Sequence, residues 1–304
     1  MHPGPADAQR RPIVADERSG VLHPTRLARY AASWIEPASE VSAAVDRYWH
    51  VSWALEDGER LDQRIIDLPA VTVTAESGDV PAPLVITGVH SGVWRRTIQG
   101  VGRVFAIRLR PAGLAALSDL TPAAVADRTV PLTAGLDERL HTLMRAVARE
   151  VRPADKARRA DRLIAELLAE RAPTRTGLLA NEVLDEIRSR VRHRTGSTLA
   201  QRFARSERTI QRVLAETIGH GPKWISRRIR LQEVALALIA RPDDDLSRIA
   251  ADLGYSDHSH LTSDFRAVAG VSPDAYRREV RRLQAGDEPR PPERRPGDDQ
   301  GSSG

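Results

Sequence analysis

The chain lacks cysteine altogether among its 304 residues. That removes disulfides, thiolate metal sites and cysteine nucleophiles together. No run of 18 apolar residues occurs, so no membrane span is expected. Residues 1–20 carry His, Pro, Asp and Arg but no apolar stretch, so they are not expected to act as a secretory signal. With neither signal nor span, the chain reads as cytoplasmic. Metal and catalytic signatures are also missing. His50 and His90 stand alone, without the His-x-His spacing that puts two ligands on one strand face. Neither a Ser–His–Asp set nor a phosphate-cradling glycine loop is evident. The chain is therefore expected not to be an enzyme and to need no cofactor.

What is present is a local excess of positive charge. The formal net charge is +5. Residues 178–284 hold 19 Lys and Arg against 14 Asp and Glu, and the remainder holds 27 of each. A basic region favours a polyanion through counterion release, although a solvated helical surface would give the same excess.

Three patterns divide the chain. Residues 1–20 lack periodicity and are expected to be disordered. Residues 21–135 form a β-rich region. Trp49, Val51, Trp53 and Leu55 alternate with His50, Ser52 and Ala54, and Phe105, Ile107 and Leu109 alternate with Ala106, Arg108 and Arg110. Shorter strand signals lie at 71–74, 84–89 and 93–98, punctuated by Gly and Pro. A small antiparallel sheet or barrel is expected, with a short helix near 113–120. Trp34, Trp49, Trp53 and Trp94 can either line a ligand pocket or fill a core. Residues 136–172 read as a helical connector, with Leu140, Leu143, Met144 and Val147, then Leu163, Ile164, Leu167 and Leu168, at helical spacing. Pro153 divides its two helices, and 173–177 reads as a linker. The stripe from Leu136 to Leu168 can serve as a dimer interface or pack within the chain. Residues 285–304 cannot build a core and are expected to be a disordered tail.

The last hundred residues contain a repeat. Leu199, Ala200, Phe203, Ser206, Ile210, Leu214, Gly219, Pro222 and Ile225 recur as Ile249, Ala250, Leu253, Ser256, Leu261, Phe265, Gly270, Pro273 and Tyr276. The offset is 50 residues before the turn and 51 after it. Each copy reads as helix, tight turn, helix. In the second, Asp245 is an N-cap candidate, Gly254 supplies a positive φ at the helix end, and Ser256 or Asp257 caps the next helix. Such a unit is a helix-turn-helix, whose second helix enters the major groove. A long helix opening at Pro222 separates the copies, with Ile225, Ile229, Val234 and Leu238 placed to pack against both.

Residues 199–278 resemble the DNA-binding domain of the AraC/XylS family. The resemblance rests on Ile249-Ala250, Leu253-Gly254-Tyr255-Ser256-Asp257, Ser259-His260-Leu261, Phe265-Arg266, Gly270-Val271-Ser272-Pro273 and Tyr276-Arg277. It implies an α+β protein: an N-terminal antiparallel β domain, a helical connector, and an all-α domain over 178–284 with two helix-turn-helix units joined by a linker helix. The implied function is transcription regulation through double-stranded promoter DNA, gated by a small-molecule effector, with RNA polymerase and a second copy of the chain as further partners. The expected DNA-contacting residues are Arg208, Gln211 and Arg212 in the first unit, and His258, Ser259, Thr262, Ser263 and Arg266 in the second. Arg matches guanine and Gln matches adenine, whereas Ser and Thr accept almost any base or phosphate. His260 is expected to pack or cap. Trp49, Trp53 and Trp94 are the candidate effector contacts. Two departures stand out: Ser263 replaces a frequent Arg, and Ala204-Arg205 replaces a Gly-apolar pair in the first turn. The alternative is a metal-dependent cupin-like enzyme fused to a DNA-binding module.

Overall fold

The computed structural model describes Leu22, residues 30–192 and residues 197–284. The expected disorder of 1–20 and 285–304 lies outside the described residues. The architecture is α+β. Six strands form one antiparallel sheet: β1 (Tyr30–Ile35), β2 (Val45–Ala54), β4 (Thr72–Gly78), β5 (Leu84–Thr87), β7 (Val101–Leu109) and β8 (Thr129–Pro131). Their order is β1-β2-β7-β4-β5-β8. Among the described strands, β3 (Arg60–Ile65) and β6 (Trp94–Gln99) pair with each other as a separate two-stranded ribbon.

Period-two alternation explains both faces of the sheet. Tyr48, Val73, Ile86, Phe105 and Ile107 point to one side and are buried. Against them pack α3 (Glu138–Ala148) and α4 (Pro153–Glu170), through Leu140, Leu143, Met144, Val147, Ala160 and Ile164. Most of the connector's apolar stripe is therefore occupied within the chain, with Leu163, Leu167 and Leu168 half-buried at its margin. Asp161 on α4 locks the arrangement, accepting from the Tyr48 hydroxyl at 2.7 Å and from the Ala38 amide at 3.1 Å.

On β7 the opposite side of the sheet was expected to be the polar half of the alternation. It is covered instead by the ribbon, which is why Ala106 is fully buried and Val104 nearly so. Gly102 makes room there. Opposite Trp53 in the β2–β7 register, it leaves a gap that a Cβ would close to 2.1 Å from the indole.

Helix α1 spans Pro111–Leu117, earlier than the segment expected at 113–120, because Pro111 occupies its first turn and Ser118 is already extended. A four-residue turn of helix, α2 (Pro122–Val125), precedes β8. Pro153 likewise opens α4 rather than merely dividing two helices. The expected linker at 173–177 is only partly one: α5 (Arg175–Arg192) begins inside it. This helix buries Ala180, Val183, Leu184, Ile187 and Val191 against the first repeat. Asn181 ties it to the β half, accepting from the Ala112 amide at 3.0 Å and donating to the Ala43 carbonyl at 2.8 Å.

Six helices follow: α6 (Leu199–Phe203), α7 (Glu207–Ile218), α8 (Pro222–Ala240), α9 (Leu246–Asp252), α10 (His258–Ala269) and α11 (Pro273–Gln284). Helix α8 serves two cores. Ile225 and Ile229 join α5 and α7, while Val234 and Leu238 join α9, α10 and α11. The β half contributes to each: Val89 enters the first core, and Ile66 enters the second.

Candidate nucleic-acid interface and internal cavity

Both repeats fold as helix, turn, helix, and their caps explain the change of offset. Thr198 opens α6 with a reciprocal capping box to Gln201. The helix ends at Ala204, which adopts φ 48° and ψ 45°. Gly254 holds the corresponding place after α9, at φ 77°. The closing hydrogen bonds match: Arg205 N to Ala200 O at 3.1 Å, and Tyr255 N to Ala250 O at 2.9 Å. Ser206 then caps α7 through the Thr209 amide, whereas Asp257 caps α10 through the His260 amide at 2.8 Å. The second turn thus has one extra residue between its left-handed position and its cap. Ser256 is not the cap; its hydroxyl touches Asp257 and His260.

On α7, Ile210, Val213, Leu214 and Ile218 are buried, and Arg208, Gln211 and Arg212 share the exposed face. Arg212 rests against Glu216 at 3.0 Å, an exposed pair one turn apart. Such a pair contributes at most about 0.5 kcal/mol, so a guanine or a phosphate can take its place. On α10, Leu261, Phe265 and Ala269 are buried. His258, Ser259, Ser263 and Arg266 are exposed, and Thr262 is half-buried. His260 stands edge-on to Tyr255 with ring centroids 5.3 Å apart and lies 3.9 Å from Asp264.

Several interface-forming residues went unread in the sequence. Arg228 and Gln232 sit in the buried stripe of α8. Arg228 donates to the Asp67 carbonyl at 3.0 Å and also to the Asp67 carboxylate, and Gln232 donates to the Ile66 carbonyl at 2.6 Å. Arg64 on β3 donates to the Ala269 carbonyl at the end of α10. Two polar residues at helical spacing inside an apolar stripe were the available signal.

Between the sheet and the ribbon lies a cavity of about 460 Å³. Trp34, Trp49, Trp53 and Trp94 all line it. Trp34 and Trp49 are direct cross-strand partners. Trp53 donates to the Gln99 carbonyl and Trp94 to the Thr129 hydroxyl, each at 3.0 Å. Arg96 lies over Trp53 and Arg108 over Trp49, at 5.7 and 5.5 Å from the ring centres. Arg96 grips Glu76 with two hydrogen bonds of 3.0 and 2.6 Å. Arg108 pairs with Asp46 at 2.6 Å, and Arg188 of α5 joins the same carboxylate at 2.9 Å. Burial alone would raise the Asp46 pKa, but the two guanidiniums hold it well below the carboxylate range.

The histidines do not meet in the cavity. The His50 ring is driven to a pKa of about 4, by burial first and then by Arg103 and Lys156. His90 bonds the Gly88 carbonyl at 3.0 Å. Among the described residues no three His, Cys, Asp or Glu side chains are grouped to hold a metal ion. No helix among them is long and apolar enough to cross a membrane.

Comparison with known proteins places these features. Residues 199–279 match a family described as a helix-turn-helix domain, and residues 33–131 match a domain of unknown function, DUF6597. The transcriptional activator RhaS of Escherichia fergusonii is 37% identical over 83 residues, which are 27% of this chain and 28% of that protein. The transcriptional regulator Rv1931c of Mycobacterium tuberculosis is 36% identical over 86 residues, 28% of this chain and 32% of that one. The chain thus spans less than a third of the length of these relatives. Among solved structures, ToxT of Vibrio cholerae aligns with 83% of this chain and 98% of its own, at 9% identity and a TM-score of 0.37. Over residues 199–279 the chain therefore carries a helix-turn-helix domain, similar there to the transcriptional regulators RhaS and Rv1931c.

Proposed function

We propose that the protein regulates transcription by binding double-stranded promoter DNA in a sequence-specific way, with α7 and α10 each entering a major groove. One observation carries this reading: α8 is a single rigid spacer built into the cores of both helix-turn-helix units. Successive major grooves on one face of B-DNA lie about 34 Å apart, so a fixed spacer lets one chain address two. Arg208, Gln211 and Arg212 are the readers in the first unit. His258, Ser259, Thr262, Ser263 and Arg266 meet DNA in the second, mostly as adaptable or phosphate contacts. The DNA-binding half runs from Arg175 rather than Leu178, since α5 belongs to its core. On this reading the protein works in the cytoplasm, is not an enzyme, and presents other surfaces to RNA polymerase and to a second copy.

Residues 30–135 are the regulatory half, and Trp49, Trp53 and Trp94 are effector contacts. The ribbon supports gating. Ile65 and Trp94 face the cavity from it, while Arg64, on its other face, holds the end of α10. Asp67, just beyond β3, lines the cavity and grips α8. A ligand that moves this wall favours one placement of the DNA-binding half over another. Titration of the full-length protein with its promoter DNA at several salt concentrations tests the DNA reading. Affinity should fall steeply with salt; absence of binding at low salt would overturn it.

A further inference from the structure

Resting on the reading of the cavity as the effector site, we propose that its ligand is a flat, uncharged aromatic molecule with a hydrogen-bond acceptor. The walls carry four indoles, and two of them are fixed in place by their own N–H bonds, Trp53 to Gln99 and Trp94 to Thr129. Trp34 and Trp49 stand opposite each other on neighbouring strands, both half-buried. Neither of their N–H groups bonds another described residue, so two donors remain for a ligand oxygen. Stacking on such faces rewards a planar ring over a saturated one of equal size. The volume, about 460 Å³, lies within the usual range for small-molecule sites.

The charges in the wall point the same way. Glu76 is matched by Arg96, Arg108 by Asp46, and Asp67 by Arg228. A charged ligand entering here sheds its hydration and finds each of these groups already paired, which penalises it against a neutral one. Arg95 lies across from Arg64 on the ribbon's other face and is exposed. A carboxylate reaching round to Arg95 is the competing arrangement.

Calorimetry on the full-length protein with three probes of one shape separates the possibilities: 2-naphthamide, 2-naphthoate and decahydro-2-naphthamide. The amide is expected to bind at least about ten-fold more tightly than either of the others. Trp49→Ala should weaken the amide about ten-fold or more. Trp34→Phe, which keeps a ring and loses a donor, should weaken it less, with circular dichroism confirming that both variants fold. Naphthoate binding as well as the amide, equal binding of the saturated analogue, no binding by any probe, or undiminished binding to a folded Trp49→Ala would each overturn the proposal. A parallel arm measures DNA affinity with and without saturating 2-naphthamide. Tight amide binding with unchanged DNA affinity would sink the gating reading and leave the ligand class standing.

Discussion

Arg228, at the centre of the helix shared by both helix-turn-helix units, donates to the backbone carbonyl and to the carboxylate of Asp67, in the wall of the internal cavity. The arginine is 2% exposed. An unpaired guanidinium at such a place is costly, so the pair joins the β half to the helical half by more than shape.

Removing one partner should therefore be worse than removing both. Asp67→Ala strands a buried charge and is expected to cost about 3 kcal/mol. Arg228→Met combined with it should recover part of that loss, giving a coupling of about 1 kcal/mol or more in a double-mutant cycle. Thermal denaturation of the four proteins measures it. Additive effects would mean that the two residues hold their places independently.

The first turn carries strain that the second avoids. Ala204 sits at φ 48°, where Gly254 serves the second unit. A β-carbon in the left-handed region is disfavoured by about 1 kcal/mol, partly offset by the unfolded-chain entropy that glycine adds. Ala204→Gly should therefore stabilise the protein by about 0.5 kcal/mol and leave DNA binding unchanged. A lowered melting temperature would show that the turn is relaxed with alanine.

Acid sensitivity should come partly from His50. Its folded pKa of about 4 lies below the ordinary 6.5, through burial and then the nearby Arg103 and Lys156. The folded state thus keeps this ring neutral. Its contribution is complete above pH 6.5 and is lost as the pH falls toward about 4. After allowance for solvent screening, the loss is of order 1 kcal/mol. His50→Gln should flatten the stability profile between those values, as read by urea denaturation across pH. An unchanged slope would place the acid-sensitive group elsewhere.

The sequence made legible what local periodicity controls. The alternation around Trp49 and Phe105 marks real strands, and the repeat locates both helix-turn-helix units with their caps. Periodicity says which face of an element is buried, not what covers it. That is why the connector stripe stayed open between dimer interface and internal packing, and why the covered side of β7 read as polar. Helix α5 shows proper helical spacing from Ala180 to Val191, but Pro173 and Gly177 suggested a break before it. The pairs Glu76–Arg96 and Asp67–Arg228 join residues 20 and 161 positions apart. No local pattern announces such partners. The Trp cluster was visible as four residues, but its closure into one cavity depends on a two-stranded ribbon separate from the main sheet.

Reading and positioning by arginine can be told apart. If Arg212 pairs with guanine, Arg212→Ala should cost about 1–3 kcal/mol on the best site and relax preference at one base position. Arg266 lies late in α10, away from the helix N-terminus that enters the groove. Arg266→Ala should weaken all sequences alike and lower the salt slope by about one unit. Titrations of both variants against matched and mismatched sites decide between the two patterns. Gly270, at φ 73° after α10, provides the folding control. Gly270→Val should lower thermal stability rather than change base preference.

Selection of binding sites from random duplex DNA by the full-length protein tests the central claim most directly. Two short conserved blocks about 10 base pairs apart are expected, one per helix-turn-helix unit. The block assigned to α7 should degrade in Arg208→Ala and Arg212→Ala while the other persists. Enrichment of no sequence at all, or the same two blocks from both arginine variants at unchanged affinity, would contradict the account.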